Sequence, residues 1–94
     1  MRKVTLRTVH DAVSKREEFR CNSTMNGEWV DGPHVNFGRI TESVSLANHL
    51  MGSCKNFVVY SYSTPIAVYN HKGWWKNPEK YSVTTSRHMS AIRL

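Results

Sequence analysis

Over residues 57–62 the side chains divide by a two-residue period, with Phe57, Val59 and Ser61 on one side and Val58, Tyr60 and Tyr62 on the other. Apolar and aromatic groups fall on both sides, so the pattern predicts a strand covered on both faces. Ser63-Thr64-Pro65 predicts a tight reversal, because proline fixes φ and has no N–H for a ladder. Residues 66–69 read as the returning strand and Asn70-His71-Lys72-Gly73 as the next turn. Trp74-Trp75-Lys76-Asn77-Pro78 then reads as a connection to a third strand, Tyr81-Ser82-Val83-Thr84. The expected product is a three-stranded antiparallel meander.

Ahead of the meander, Leu6, Val9 and Val13 keep a helical period and predict a helix over roughly residues 5–18, with Thr5 or Thr8 as its cap. A rival reading makes Lys3 to Leu6 a first strand, which the alternation of Val4 and Leu6 also permits. Between residues 19 and 38 the turn signals Asn26-Gly27 and Gly32-Pro33 recur closely. That segment reads either as short strands at 19–24 and 28–30, or as an ordered loop packing Trp29 and Phe37 on the core. Thr41 as cap, Glu42 in the first turn, and Val44, Ala47 and Leu50 on one face predict a second helix that Gly52 ends. Residues 86–94 suit a short terminal helix with Met89 and Ile92 turned inward. The fold class is α+β: a three-stranded antiparallel meander, two preceding helices and a short C-terminal helix.

The 94 residues form one domain, 1–94, whose small core self-association would help. The chain has no apolar run long enough to span a bilayer, and its basic start lacks the apolar stretch of a signal peptide, which implies a cytoplasmic protein away from membranes. Cys21 and Cys54 are then expected to stay reduced. His10, His34, His49, His71 and His88 do not fall at zinc spacing, so neither a metal nor a cofactor is expected.

Charge changes the picture. Residues 1–50 carry seven bases and six acids, a net +1, whereas residues 51–94 carry six bases and one acid, a net +5. A half so electropositive attracts nucleic acid, nucleotides or an acidic protein. Thr84-Thr85-Ser86-Arg87-His88 is the most suggestive cluster within it. Where a strand gives way to a helix, unpaired N–H groups, hydroxyls, a guanidinium and an imidazole can together hold phosphate, although capping is the ordinary use of such hydroxyls. Trp74 and Trp75, interleaved with Lys72 and Lys76, add rings for stacking and cations for a phosphate backbone. Of two adjacent tryptophans on a strand, one is expected to point outward.

These features predict non-enzymatic binding of a nucleic acid or nucleotide through Thr84, Thr85, Ser86, Arg87, His88, Lys72, Lys76, Trp74 and Trp75. Two other readings stand beside it: a protein-binding inhibitor that uses an exposed tryptophan and the sheet edge, and a metal-independent RNase of toxin type.

Tyr60-Ser61-Tyr62-Ser63-Thr64-Pro65-Ile66-Ala67, then Gly73-Trp74, then Tyr81-Ser82-Val83-Thr84-Thr85-Ser86-Arg87-His88 form a distinctive pattern over roughly the last third of the chain. It resembles a family of small domains, found mainly in phages and actinobacteria, that share S-Y-x-T-P-I-A, G-W and Y-S-x-T-T-S-x-H. Met89 stands where a glutamine is frequent in that pattern. The resemblance implies a phage accessory protein that binds a host defence component, a nucleotide signal or nucleic acid.

Overall fold

The computed structural model describes residues 2–21, 24–35, 37–38, 43–78 and 83–92. The expected three-stranded meander is corrected to a six-stranded mixed sheet in which strand order follows chain order. Its strands are β1 (Arg2–Val4), β2 (Phe19–Cys21), β3 (Met25–Asp31), β4 (Lys55–Ser61), β5 (Thr64–Asn70) and β6 (Gly73–Lys76). β1 and β2 run parallel, joined by helix α1 (Val9–Lys15), and every later pair is antiparallel. Helix α2 (Ser43–Leu50) lies between β3 and β4, and α3 (Val83–Ala91) follows β6.

The third strand is thus Gly73–Lys76, and Val83 and Thr84, expected in that strand, are helical; Tyr81 and Ser82 lie outside the described residues. The tryptophan pair explains the exchange. On a strand its two rings serve opposite faces, Trp74 packing against one apolar cluster and Trp75 buried in the other. In α3, His88, Met89 and Ile92 turn toward the sheet, and this burial overrides the β-preference of Val83 and Thr84. At the N-terminus the strand reading holds for Arg2–Val4 and the helix shortens to Val9–Lys15, with Arg16 closing it in the left-handed conformation (φ 54°).

The two faces of the sheet bury separate cores. α1 and α3 cover one face, where Val9, Val13 and Ile92 meet Phe19, Met25, Phe57, Val59 and Ala67. α2 covers the other over β4–β6, with Leu46 against Val58, Tyr60, Val68 and Trp75. Val44 and Ala47, expected to face inward, are exposed, because Leu46 supplies the buried contact and Ser45 accepts a hydrogen bond from the Trp75 indole (3.0 Å). Pro65 lies inside β5 rather than in the reversal, at an irregularity that leaves Ile66 as the extra residue. Asn77, buried, serves both displaced carbonyls: its N–H reaches Ile66 O at 2.9 Å and its Nδ2 reaches Pro65 O at 3.0 Å.

Gly27 sits mid-strand where the Phe19 and Phe57 rings close over it, so a Cβ there would overlap the Phe19 ring. Gly27→Ala is expected to destabilise the protein by about 1–3 kcal/mol, the usual cost of overpacking, in urea unfolding. Cys21 is buried, Cys54 is exposed, and both are free thiols. No helix among the described residues is long and apolar enough to cross a membrane.

Candidate functional site

The reversal between β4 and β5 is made by Tyr62 and Ser63, both left-handed at φ 51° and 66°. Two-residue hairpin turns ordinarily place Asn-Gly there, since each bulkier residue in this region costs about 1–2 kcal/mol. The turn is held by the Tyr62 N–H, which donates to Thr24 O across the neighbouring hairpin (2.8 Å). Its product is an aromatic ring presented to solvent: Tyr62 is 54% exposed, yet it stacks on His88 with centroids 5.9 Å apart and planes at 27°. His88 is buried, with Nδ1 2.7 Å from the Ser61 hydroxyl. α3 therefore supports the ring from behind.

Beside Tyr62 opens a cleft of about 460 Å³ lined by Arg20, Thr24, Met25, Asn26, Glu28, Tyr62 and Ser63. The register shows how it is charged. Lys3, Arg20, Asn26 and Tyr60 form one cross-strand row on the face opposite α1. α2 covers this face only from β4 onward, and Lys3 and Arg20 remain exposed. Arg2, Lys15 and Lys55 are engaged by Asp11, Glu17 and Asp31, whereas Lys3 and Arg20 make no ion pair among the described residues. Glu28 is the acidic member of the cleft.

Neither this cleft nor a second, apolar groove along α2 is lined by any of the nine residues singled out in the sequence. Thr84, Thr85 and Ser86 lie in the first turn of α3, their side chains outside the described residues; Arg87 is exposed and His88 is internal. Lys72 sits in the β5–β6 turn with Nζ donating to Asn48 O (2.7 Å), and Lys76 is exposed at the end of β6. Trp74 and Trp75 both pack on helical layers, so neither is the outward ring expected of the pair. The exposed tryptophan is Trp29, at 41%, whose indole N–H donates to Arg16 O (3.0 Å).

Sequence reading missed Arg20 and Tyr62 as neighbours, because their proximity depends on the pairing of β2 through β4. The signal was present only in Tyr62-Ser63, two residues without glycine at a hairpin tip. His88, bound to Ser61 behind the ring, does not face the cleft as a proton acceptor. Among the described residues no group of three or more His, Cys, Asp or Glu side chains could hold a metal ion.

A model described as a family of unknown function, DUF8033, matches residues 8–93. The chain belongs to that family. The DUF8033 match takes in α1 through α3, hence the Tyr62 turn, Arg20 and the α3 support, while Lys3 precedes it. No curated protein and no solved structure matches the chain.

Burial holds the imidazole of His88 below its ordinary value of 6.5. His49, whose Nε2 lies 3.1 Å from Gly73 O, is lowered first by burial, with the Lys72 cation adding to the shift and the Gly73 carbonyl opposing it. For both, the unfolded chain takes up its proton first, so their stabilisation is complete above about pH 6.5 and is lost as pH falls toward the depressed folded-state values. The thermal midpoint of this DUF8033 domain is expected to fall as pH drops from about 7 to 5. His88→Asn should flatten part of that dependence, and a wild-type midpoint level across the window would show that both imidazoles charge at no cost.

Proposed function

We propose that the chain binds a phosphate-bearing ligand, a nucleotide or a single strand of nucleic acid, without transforming it. The observation that carries this reading is an exposed, propped aromatic ring, Tyr62, sharing an open cleft with the unpaired guanidinium of Arg20. A base stacks on Tyr62, since every base offers a π-face, while Arg20 and Lys3 take phosphate. Glu28 orients the ligand, repelling phosphate from its side of the cleft and, with Asn26, facing the hydrogen-bonding edge of the base. From the C-terminal cluster the reading retains Arg87, exposed on α3 next to the His88 that supports the ring. The resemblance to phage and actinobacterial domains supports a setting in the host cytoplasm, where such a binder would withhold a nucleotide signal or nucleic acid from a defence system.

Affinity measured against salt tests the proposal, using labelled homopolymeric single strands, a duplex and cyclic nucleotides. Two phosphates neutralised on a single strand give a slope of log K against log salt of about −1.4, and a nucleotide in the cleft gives a shallower one. Duplex bound as tightly as single strand would contradict stacking on Tyr62. No binding of any probe at low salt would remove the reading altogether.

A further inference from the structure

The cleft beside Tyr62 holds a carboxylate that the fold does not use. Among the described residues Asp11, Glu17 and Asp31 are ion-paired and Glu18 accepts the Trp29 N–H (3.0 Å), whereas the side chain of Glu28 has neither a salt bridge nor a hydrogen bond. Asn26 and Glu28 stand two residues apart on β3, so both side chains serve the face that carries Arg20, and both are half-buried. Arg20 lies directly across from Asn26, which puts Glu28 on the diagonal, within reach of long side chains. The two opposite charges nevertheless make no ion pair. A cation and a carboxylate held apart in one cleft leave room between them for a molecule that satisfies both.

An ionised carboxylate only accepts hydrogen bonds, at two oxygens side by side. Of the common bases, guanine alone offers two adjacent donors on its Watson–Crick edge, N1–H and the 2-amino group. They meet both oxygens in the parallel arrangement that a guanidinium makes with a carboxylate. Beside them O6 is an acceptor, which suits a donor from the Asn26 amide. Adenine and cytosine set a ring-nitrogen lone pair next to their single amino group, and uracil and thymine flank one N–H with two carbonyls. Each of these turns an acceptor against Glu28, whose charge also repels phosphate. For phosphate alone Glu28 is unfavourable; for guanine it is the recognising group.

We propose, resting on the reading of this cleft as a nucleotide site, that the base it selects is guanine, in a free nucleotide or in a single strand. The base lies on Tyr62, Glu28 accepts from N1–H and the 2-amino group, Asn26 Nδ2 donates to O6, and Arg20 takes the phosphate. Stacking on Tyr62 is indifferent to the base, so selectivity comes from β3 alone.

The test is titration of the full chain at low salt with the 5′-monophosphates of guanosine, inosine, adenosine, cytidine and uridine. Guanosine monophosphate is expected to bind about tenfold more tightly than the adenosine, cytidine and uridine compounds, within the range of one bidentate contact to a base. Inosine monophosphate, which keeps N1–H and O6 but lacks the 2-amino group, should fall between. Glu28→Gln should lower the affinity for guanosine monophosphate about tenfold and raise that for adenosine monophosphate about twofold, because the second acceptor and the repulsion of phosphate are lost together. Glu28→Ala should act in the same two directions, which a merely weakened fold would not produce. A short oligothymidylate carrying one central guanine, inosine or adenine extends the test to strands. Guanine favoured there assigns recognition within a strand, and a preference confined to the monophosphates assigns the free nucleotide. Equal binding of all bases, with affinity still dependent on Tyr62, would overturn guanine recognition and leave nucleotide binding standing, whereas no binding by any probe would remove both. A guanine preference that survives in both Glu28 variants would also overturn the proposal.

Discussion

Tyr62→Asn is expected to lower the affinity for single-stranded nucleic acid about 5- to 150-fold, the worth of one stacked base, while leaving the protein at least as stable. Asparagine tolerates the left-handed conformation that tyrosine occupies at φ 51°, so the substitution relieves the backbone and removes only the ring. Ser63→Gly is the matched control, relieving φ 66° without touching the ring, and should add about 1 kcal/mol of stability with affinity retained. Arg20→Ala should reduce the salt slope by about 0.7, one phosphate's share. Measured by fluorescence anisotropy alongside urea unfolding, these variants separate stacking from folding. An affinity unchanged in Tyr62→Asn would leave the strained turn with no part in binding.

The second large effect concerns stability. Asn70→Ala is expected to cost about 3 kcal/mol, because three hydrogen bonds converge on that amide at about 1 kcal/mol each. It fastens the C-terminal end of α2, the β5–β6 turn and Asn56 to one another, and no other described side chain can take over its place between His49 O and the Lys72 N–H. For a domain of this length the loss corresponds to a fall in thermal midpoint of roughly 12 °C or more. A cost below about 1 kcal/mol would mean that water satisfies those groups as well as the amide does.

How far the sequence could be read depended on whether the deciding contacts were local. The alternation through Phe57, Val59 and Ser61 placed β4, and Asn70 to Gly73 placed the β5–β6 turn, because a two-residue period and a glycine act within a few residues. The same reasoning failed at Val83 and Thr84, whose β-branched side chains favour a strand until Met89 and Ile92 bury at helical spacing. α2 was found and Leu50 does pack on the core, but Val44 and Ala47 were misassigned: they fit the helical period as well as Leu46 does, and only the sheet beneath decides between them. The candidate site was the least legible part. Lys3, Arg20, Asn26 and Tyr60 become neighbours through three successive strand registers, none of which is written in any one segment. His88 was read as a phosphate-binding residue, and its hydrogen-bond partner Ser61 stands across a helix–sheet contact that no local pattern shows.

The strands lengthen inward, with seven residues in each of β3, β4 and β5 and only three in β1 and four in β6. A foreign strand approaching either margin therefore finds few rungs on which to extend the ladder, and the long, well-zipped strands are already taken on both sides. Growth into fibrils by adding strand to strand along the ladder is discouraged by this taper alone, without a proline or a bulge within the rim strands β1 and β6.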